Sequence, residues 1–307
     1  MRHFLDTADL SRKELGRVLE LATQRQEALG WPLADYGVAL IFDKPSNRTR
    51  QSMEMAVVQL GGHPIFTRGE EVGFDVRESV EDITRIMAGY HAMIAARVID
   101  HGVLERMASL DEVPIINMLS DKSHPLQSVA DVLTMREELG SLSGLTVTWI
   151  GDYNNVARSL AEACALEGMH LRLGCPDGYG ADGEELSRIV SLGAASVEQL
   201  DSAEAAAEGA HAVHTDVFVS MGQEADTERR LRDFAAFQVD EKVMAAADQN
   251  AIFMHCLPAH RGVEVAADVI DGPASRVVRQ AHNRMHAARG VLAFLCEEND
   301  ITKGDTK

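Results

Sequence analysis

The chain has 307 residues, 46% of them hydrophobic and 25% charged, a balance that suits two ordinary folded domains and excludes a disordered or fibrous chain. A formal charge of −19 repels polyanions, which argues against nucleic acid or an anionic membrane as partner. There is no apolar run of membrane-spanning length, Met1 to Asp6 lack a secretion core, and Cys164, Cys175, Cys256 and Cys296 form no Cys-x-x-Cys pair, so a cytoplasmic location without disulfide framework or zinc site is expected.

Taken in chain order, Ser11 and Glu14 have the spacing of a capping box, and Leu15, Val18, Leu19 and Ala22 then mark the buried face of a first helix. Gly37–Phe42 is a short β-prone apolar run, and from Gln51 apolar residues recur at helical spacing (Met53, Val57, Leu60), which puts Ser46 to Thr49 on a strand-to-helix turn. Further strands are predicted at His63–Thr67, Ala92–Ala96 and Pro114–Leu119, and a helix over Val129–Leu139. A second series of strands runs through Thr146–Ile150, His170–Gly174, Ala212–Asp216 and Ala251–His255, with an Ala/Glu-rich helix at Asp201–Gly209. Such alternation predicts an α/β protein of two domains, each a mostly parallel sheet flanked by helices. The small, polar stretch Gly140–Gly144 marks the boundary, giving domains over residues 1–139 and 140–278. The last helical run, Arg276 to Glu297, is apolar along Val278, Met285, Val291, Leu292 and Leu295, so the segment 279–307 is expected to pack back on the first domain.

The polar residues of interest follow strands, where ligands of open α/β sheets bind. Phe42–Arg50 reads Phe-Asp-Lys-Pro-Ser-Asn-Arg-Thr-Arg. Unpaired N–H groups at a helix start carry partial positive charge, and Arg48 adds a full charge with a planar fork of donors, a combination that suits a phosphate dianion. Arg97, His124–Gln127, Gly151–Asn155, Asp216–Gly222 and His255–Pro258 follow the other strands. Singly, each has an ordinary structural explanation: a surface ion pair, a His-Pro turn, an Asn cap, a small core cysteine. Five such segments at strand ends beside a phosphate turn point to a site.

With Asn283-Arg284 added, these segments span almost the whole chain in the order found in the aspartate/ornithine carbamoyltransferase family, and within it the chain most resembles the ornithine branch. The resemblance implies an amino-terminal domain for carbamoyl phosphate, a carboxy-terminal domain for the amino acid, closure between them, and a homotrimer or multiple of trimers with sites at subunit interfaces. It further implies that Ser46, Asn47, Arg48 and Thr49 hold the phosphate, that Arg97, His124 and Gln127 orient the carbamoyl group, and that Arg284 completes the anion clamp. Asn155, Asp216, Ser220 and Met221 would bind the α-amino and α-carboxylate end of L-ornithine, with Cys256 and Leu257 beside the carbamoyl group and the attacking amine. Arg97, His124, Cys256 and Asp216 would be the catalytic set. Attack by an uncharged δ-amine builds negative charge on the carbonyl oxygen and then on departing phosphate, so fixed donors lower the barrier without metal, cofactor or covalent nucleophile. Cys256 and Asp216 could accept or relay the proton that ornithine's δ-ammonium must lose. Arginine synthesis and citrulline breakdown share this chemistry.

Three positions depart from the family pattern. Asn47 replaces a Thr of the phosphate turn, Gly73 stands in an acidic loop (Glu70, Glu71, Asp75) that in relatives reaches a neighbouring subunit, and His282 replaces a Glu before Asn283-Arg284. Competing readings are a carbamoyltransferase for putrescine or aspartate, a non-catalytic anion- or amino-acid-binding relative, and a nicotinamide-dependent dehydrogenase. The aspartate branch has His-Pro-Leu-Pro where this chain has His255-Cys-Leu-Pro258, and the dehydrogenase reading lacks a Gly-x-Gly-x-x-Gly turn.

Overall fold

Strands that are buried on both faces read as unbroken apolar runs, and residues 38–42 and 93–96 do so at the centre of the first of two parallel sheets in the computed structural model, which describes residues 1–220 and 223–302. The chain divides into two compact units, Met1–Ala130 with the segment from Asn283 onward, and Asp131–His282.

In the first unit the strands are β1 (Gly37–Phe42), β2 (His63–Arg68), β3 (Met93–Arg97) and β4 (Ile115–Leu119), in the order β2-β1-β3-β4. Phe42 pairs with Arg97 at the carboxyl ends of β1 and β3. The strand order reverses between these two, so the connections leave in opposite directions and open a crevice beyond them. Ala39, Ile41, Ile94, Ala96 and Ile115 from the sheet pack with Val80, Ile83, Leu104 and Met107 from helices Val80–Ala88 and His101–Ser109. From Asn283, the helix Val277–Glu298 runs along this unit, burying Val291, Leu292 and Leu295. Gly290 lets it approach the first helix, Arg12–Thr23: a Cβ there would lie 2.5 Å from the Val18 carbonyl oxygen. Arg289 Nη2 donates to the Ala22 and Gln24 carbonyls at 2.7 and 2.8 Å, capping that helix's carboxyl end.

In the second unit the strands are β5 (Thr146–Ile150), β6 (His170–Gly174), β7 (Ser196–Leu200), β8 (Ala212–Thr215) and β9 (Ile252–His255), in the order β7-β6-β5-β8-β9. Here the order reverses between β5 and β8, where Ile150 pairs with Thr215 and Thr215 with His255. Ile150, Val213, Phe218, Phe234, Phe253 and Val265 belong to one buried cluster.

Several elements differ from the sequence reading. β7 was not expected: as an edge strand with Glu198 and Gln199 exposed, it carries no apolar run. The helix expected from Val129 begins at Pro125, since Pro is tolerated in a first turn, where its missing N–H has no intrahelical partner. Val278 is 63% exposed rather than on the buried face of the last helix. Among the described residues, no helix is long and apolar enough to cross a membrane.

Candidate active site

In the first unit, Ser46 is the N-cap of the helix Asn47–Gln59. Its Oγ accepts from the Thr49 N–H at 3.4 Å and donates to Thr49 Oγ1 at 3.0 Å. That fixes the first turn at the end of β1, with Thr49 buried, Arg48 half-buried and Asn47 exposed. Arg97, the last residue of β3, is buried, as are His124 and Gln127 after β4 and Arg284 on the last helix. Arg284 spans the group: Nη1 lies 3.5 Å from His124 Nε2 and 3.3 Å from Gln127 Oε1, and Nη2 lies 3.4 Å from Thr49 Oγ1.

Burial, and then the charges of Arg284, Arg97 and Arg48, hold His124 well below the ordinary imidazole value. Three guanidinium groups therefore converge on one neutral, buried imidazole. With Nε2 facing a guanidinium, His124 accepts there and carries its proton on Nδ1. A positive side-chain cluster is thus built within a chain of charge −19, from rigid, forked donors of the kind that match phosphate. Asn47 lies on the same turn, exposed rather than within the buried cluster.

In the second unit, Asp216 follows β8, and its carboxylate joins two loops. Cys256 Sγ donates to Asp216 Oδ1 at 3.1 Å, and Asn154 Nδ2 donates to Asp216 Oδ2 at 3.1 Å. Asn154 is also the N-cap of the helix Asn155–Leu166, its Oδ1 accepting from the Val156 and Ala157 N–H groups at 2.9 and 3.0 Å. The Asn-Asn pair pointed to a cap, but the residue that reaches Asp216 is Asn154, while Asn155 stands at the first helical position, half-buried. Only cap geometry separates two adjacent asparagines. Leu257, half-buried beside Cys256, has φ of 61° and gives its N–H to His255 Nδ1 at 2.9 Å. Ser220 is half-buried on the loop after Asp216, its N–H bonded to Gln223 Oε1 at 3.0 Å. Met221 lies outside the described residues.

Asp216, His255 and Cys256 each bring one possible metal-ligand atom within 4.8 Å of the others. His255, however, uses Nδ1 as acceptor for the Leu257 N–H and has Nε2 3.3 Å from Glu264 Oε1. Its ring is engaged on both sides, which leaves two donors, short of a zinc set. The acidic loop is also engaged within its own unit. Asp75 and Glu81 both pair with Arg106, and Arg68 lies 3.5 Å from Glu70 and 4.0 Å from Glu71. Gly73, at φ 64°, caps the short helix Gly69–Val72, with the Arg77 side chain filling the space where a Cβ would project. His282 is exposed.

Comparison with known proteins matches residues 2–137 to the aspartate/ornithine carbamoyltransferase carbamoyl-P binding domain and residues 143–295 to the Asp/Orn binding domain of the same family. An ornithine carbamoyltransferase of Thermus thermophilus is 43% identical over 296 residues, 96% of each chain. The solved ornithine carbamoyltransferase of Pyrococcus furiosus superposes with a TM-score of 0.90 at 38% identity, covering 100% of this chain and 98% of that one. A solved N-acetyl-L-ornithine transcarbamylase gives 0.86 at 28% identity, covering 96% of this chain and 100% of that one.

Proposed function

The chain belongs to the aspartate/ornithine carbamoyltransferase family, and we propose that it transfers the carbamoyl group of carbamoyl phosphate to the δ-amine of L-ornithine, giving citrulline and phosphate. The observation that carries this reading is the convergence of Arg48, Arg97 and Arg284 on neutral, buried His124. In this reading the phosphate lies on the Ser46–Thr49 turn, where Ser46, Asn47, Arg48, Thr49 and the helix N–H groups donate, with Arg97 and Arg284 supplying charge. His124 and Gln127 orient the carbamoyl group, and the guanidiniums of Arg97 and Arg284 face the negative charge that builds as the amine attacks.

For the acceptor, Asp216 takes the α-ammonium group, with Asn154, Asn155, Ser220 and Met221 around the amino-acid end. The δ-ammonium loses a proton, with Cys256 and Asp216 as the relay. The free amine forms a C–N bond to the carbamoyl carbon, the C–O bond to phosphate breaks, and phosphate leaves with the electron pair and takes the proton that the newly bonded nitrogen sheds. Leu257 and the thiol of Cys256 keep water from the carbamoyl carbon. The same reading takes residues 1–139 with 279–307 as the carbamoyl-phosphate domain, 140–278 as the ornithine domain, and a cytoplasmic homotrimer as the working form.

The N-acetyl-L-ornithine transcarbamylase likeness favours one second acceptor, N-acetylornithine. The test is to supply carbamoyl phosphate with ornithine, N-acetylornithine, putrescine or aspartate and identify products by mass. Citrulline as the dominant product is expected; a dominant product from another amine moves the chain to that acceptor, and none at all rejects carbamoyl transfer.

A further inference from the structure

The loop that carries Asn154 is held by a group of charges that the reaction does not use. Glu162, fully buried on the helix Asn155–Leu166, pairs with Arg158 Nη2 at 2.9 Å and Arg188 Nη2 at 2.8 Å. Arg188, on the helix Gly183–Ser191, also grips Glu185 with Nε and Nη2 at 2.6 and 2.7 Å. Two carboxylates and two guanidiniums are balanced in charge, which is what makes a desolvated ionic group tolerable. To this group the Tyr153 hydroxyl donates at 2.8 Å, onto Glu185 Oε1. Burial, and then the Glu185 carboxylate, push the phenol far above its ordinary value, so it remains a donor at any working pH. The backbone of Tyr153 is tied as well, its N–H reaching the Tyr179 carbonyl at 2.9 Å.

The next residue is Asn154, whose amide both caps its helix and donates to Asp216. We propose that Tyr153 is a positioning residue: its hydroxyl, clamped by the Arg158–Glu162–Arg188–Glu185 group, holds the loop so that Asn154 keeps the Asp216 carboxylate turned for the amino-acid substrate. The consequence for substrate binding rests on the proposed function; the anchoring of Asn154 does not. Tyr153 adds no charge to the group, so Tyr153→Phe leaves two balanced ion pairs behind and a protein that folds.

Two measurements on Tyr153→Phe test this. Hydrogen exchange at the Val156 and Ala157 amides, the groups Asn154 caps, should quicken relative to the parent while exchange in the first unit is unchanged. The ornithine KM should rise by about threefold to tenfold, the value of one hydrogen bond, with kcat within about twofold and carbamoyl-phosphate affinity unchanged. Combined with Glu185→Ala, which removes the acceptor, the loss should be no greater than that of the worse single variant, because both break one contact. Equal exchange at Val156 and Ala157 in parent and variant overturns the proposal, as does a folded Tyr153→Phe protein with parental ornithine KM, or equal weakening of both substrates. If the parent makes no citrulline, the functional reading fails, and the exchange measurement alone decides the anchoring.

Discussion

At the residue scale, the proposed anion site rests on the difference between a fork and a point charge. Arg48 is half-buried at the first turn of the helix Asn47–Gln59, close enough to His124 to help keep it neutral. Arg48→Ala removes a charge-assisted contact worth roughly 1.5 to 3 kcal/mol, so kcat/KM for carbamoyl phosphate should fall more than tenfold; a change below threefold would mean the turn does not hold phosphate. His124 gives a pH signature. Its folded pKa is depressed, so as pH falls below about 6.5 the unfolded chain binds a proton that the folded chain refuses, and stability drops. Burial lowers His3, His91 and His101 in the same direction, so the His124 share must be read by difference. Thermal melts between about pH 7.5 and 5.5 should show Tm falling more steeply in the parent than in His124→Gln. Parallel slopes would contradict the buried, neutral assignment.

At the scale of elements, what the sequence made legible depended on burial. β1 and β3 are covered on both sides and announce themselves as Val-Ala-Leu-Ile-Phe and Met-Ile-Ala-Ala. β7, at an edge, does not, because nothing forces apolar residues onto a strand that water can reach. The capping box at Ser11 and Glu14 was readable because both halves are local, and both form. The partnership of Asn154 with Asp216 was not, since it joins residues 62 apart in the chain. Close helix approach at Gly290 was likewise invisible, for a glycine's neighbours across space leave no trace in its own sequence. It is testable with a paired substitution. Gly16 has open space around a would-be Cβ, so Gly16→Ala should stabilise by up to about 1 kcal/mol through helix propensity. Gly290→Val should instead cost about 1 to 3 kcal/mol by overpacking, seen as a Tm lowered by roughly 2 to 10 °C. Equal behaviour of the two variants would show that the Arg12–Thr23 helix does not press on Gly290.

At the scale of the whole molecule, both sheets reverse strand order at one point, and the residues of interest gather at those points: Ser46–Thr49 after β1 and Arg97 at the end of β3, Asn154 and Asp216 after β5 and β8. The strong net negative charge leaves the arginines of the first unit as a local exception, which suits a small dianionic substrate and disfavours polyanions. Both matched domains belong to one family of carbamoyltransferases, so the open choice is the acceptor. A site built around an α-amino acid's charged groups leaves its own polar groups unpaired when putrescine enters, which has no carboxylate, and such mismatches discriminate by as much as about 10⁴. The decisive measurement is the ratio of kcat/KM for ornithine to that for putrescine, taken with saturating carbamoyl phosphate. A ratio of at least about 10² is expected; a ratio near one, or in putrescine's favour, would mean that the site is not built around an α-amino acid.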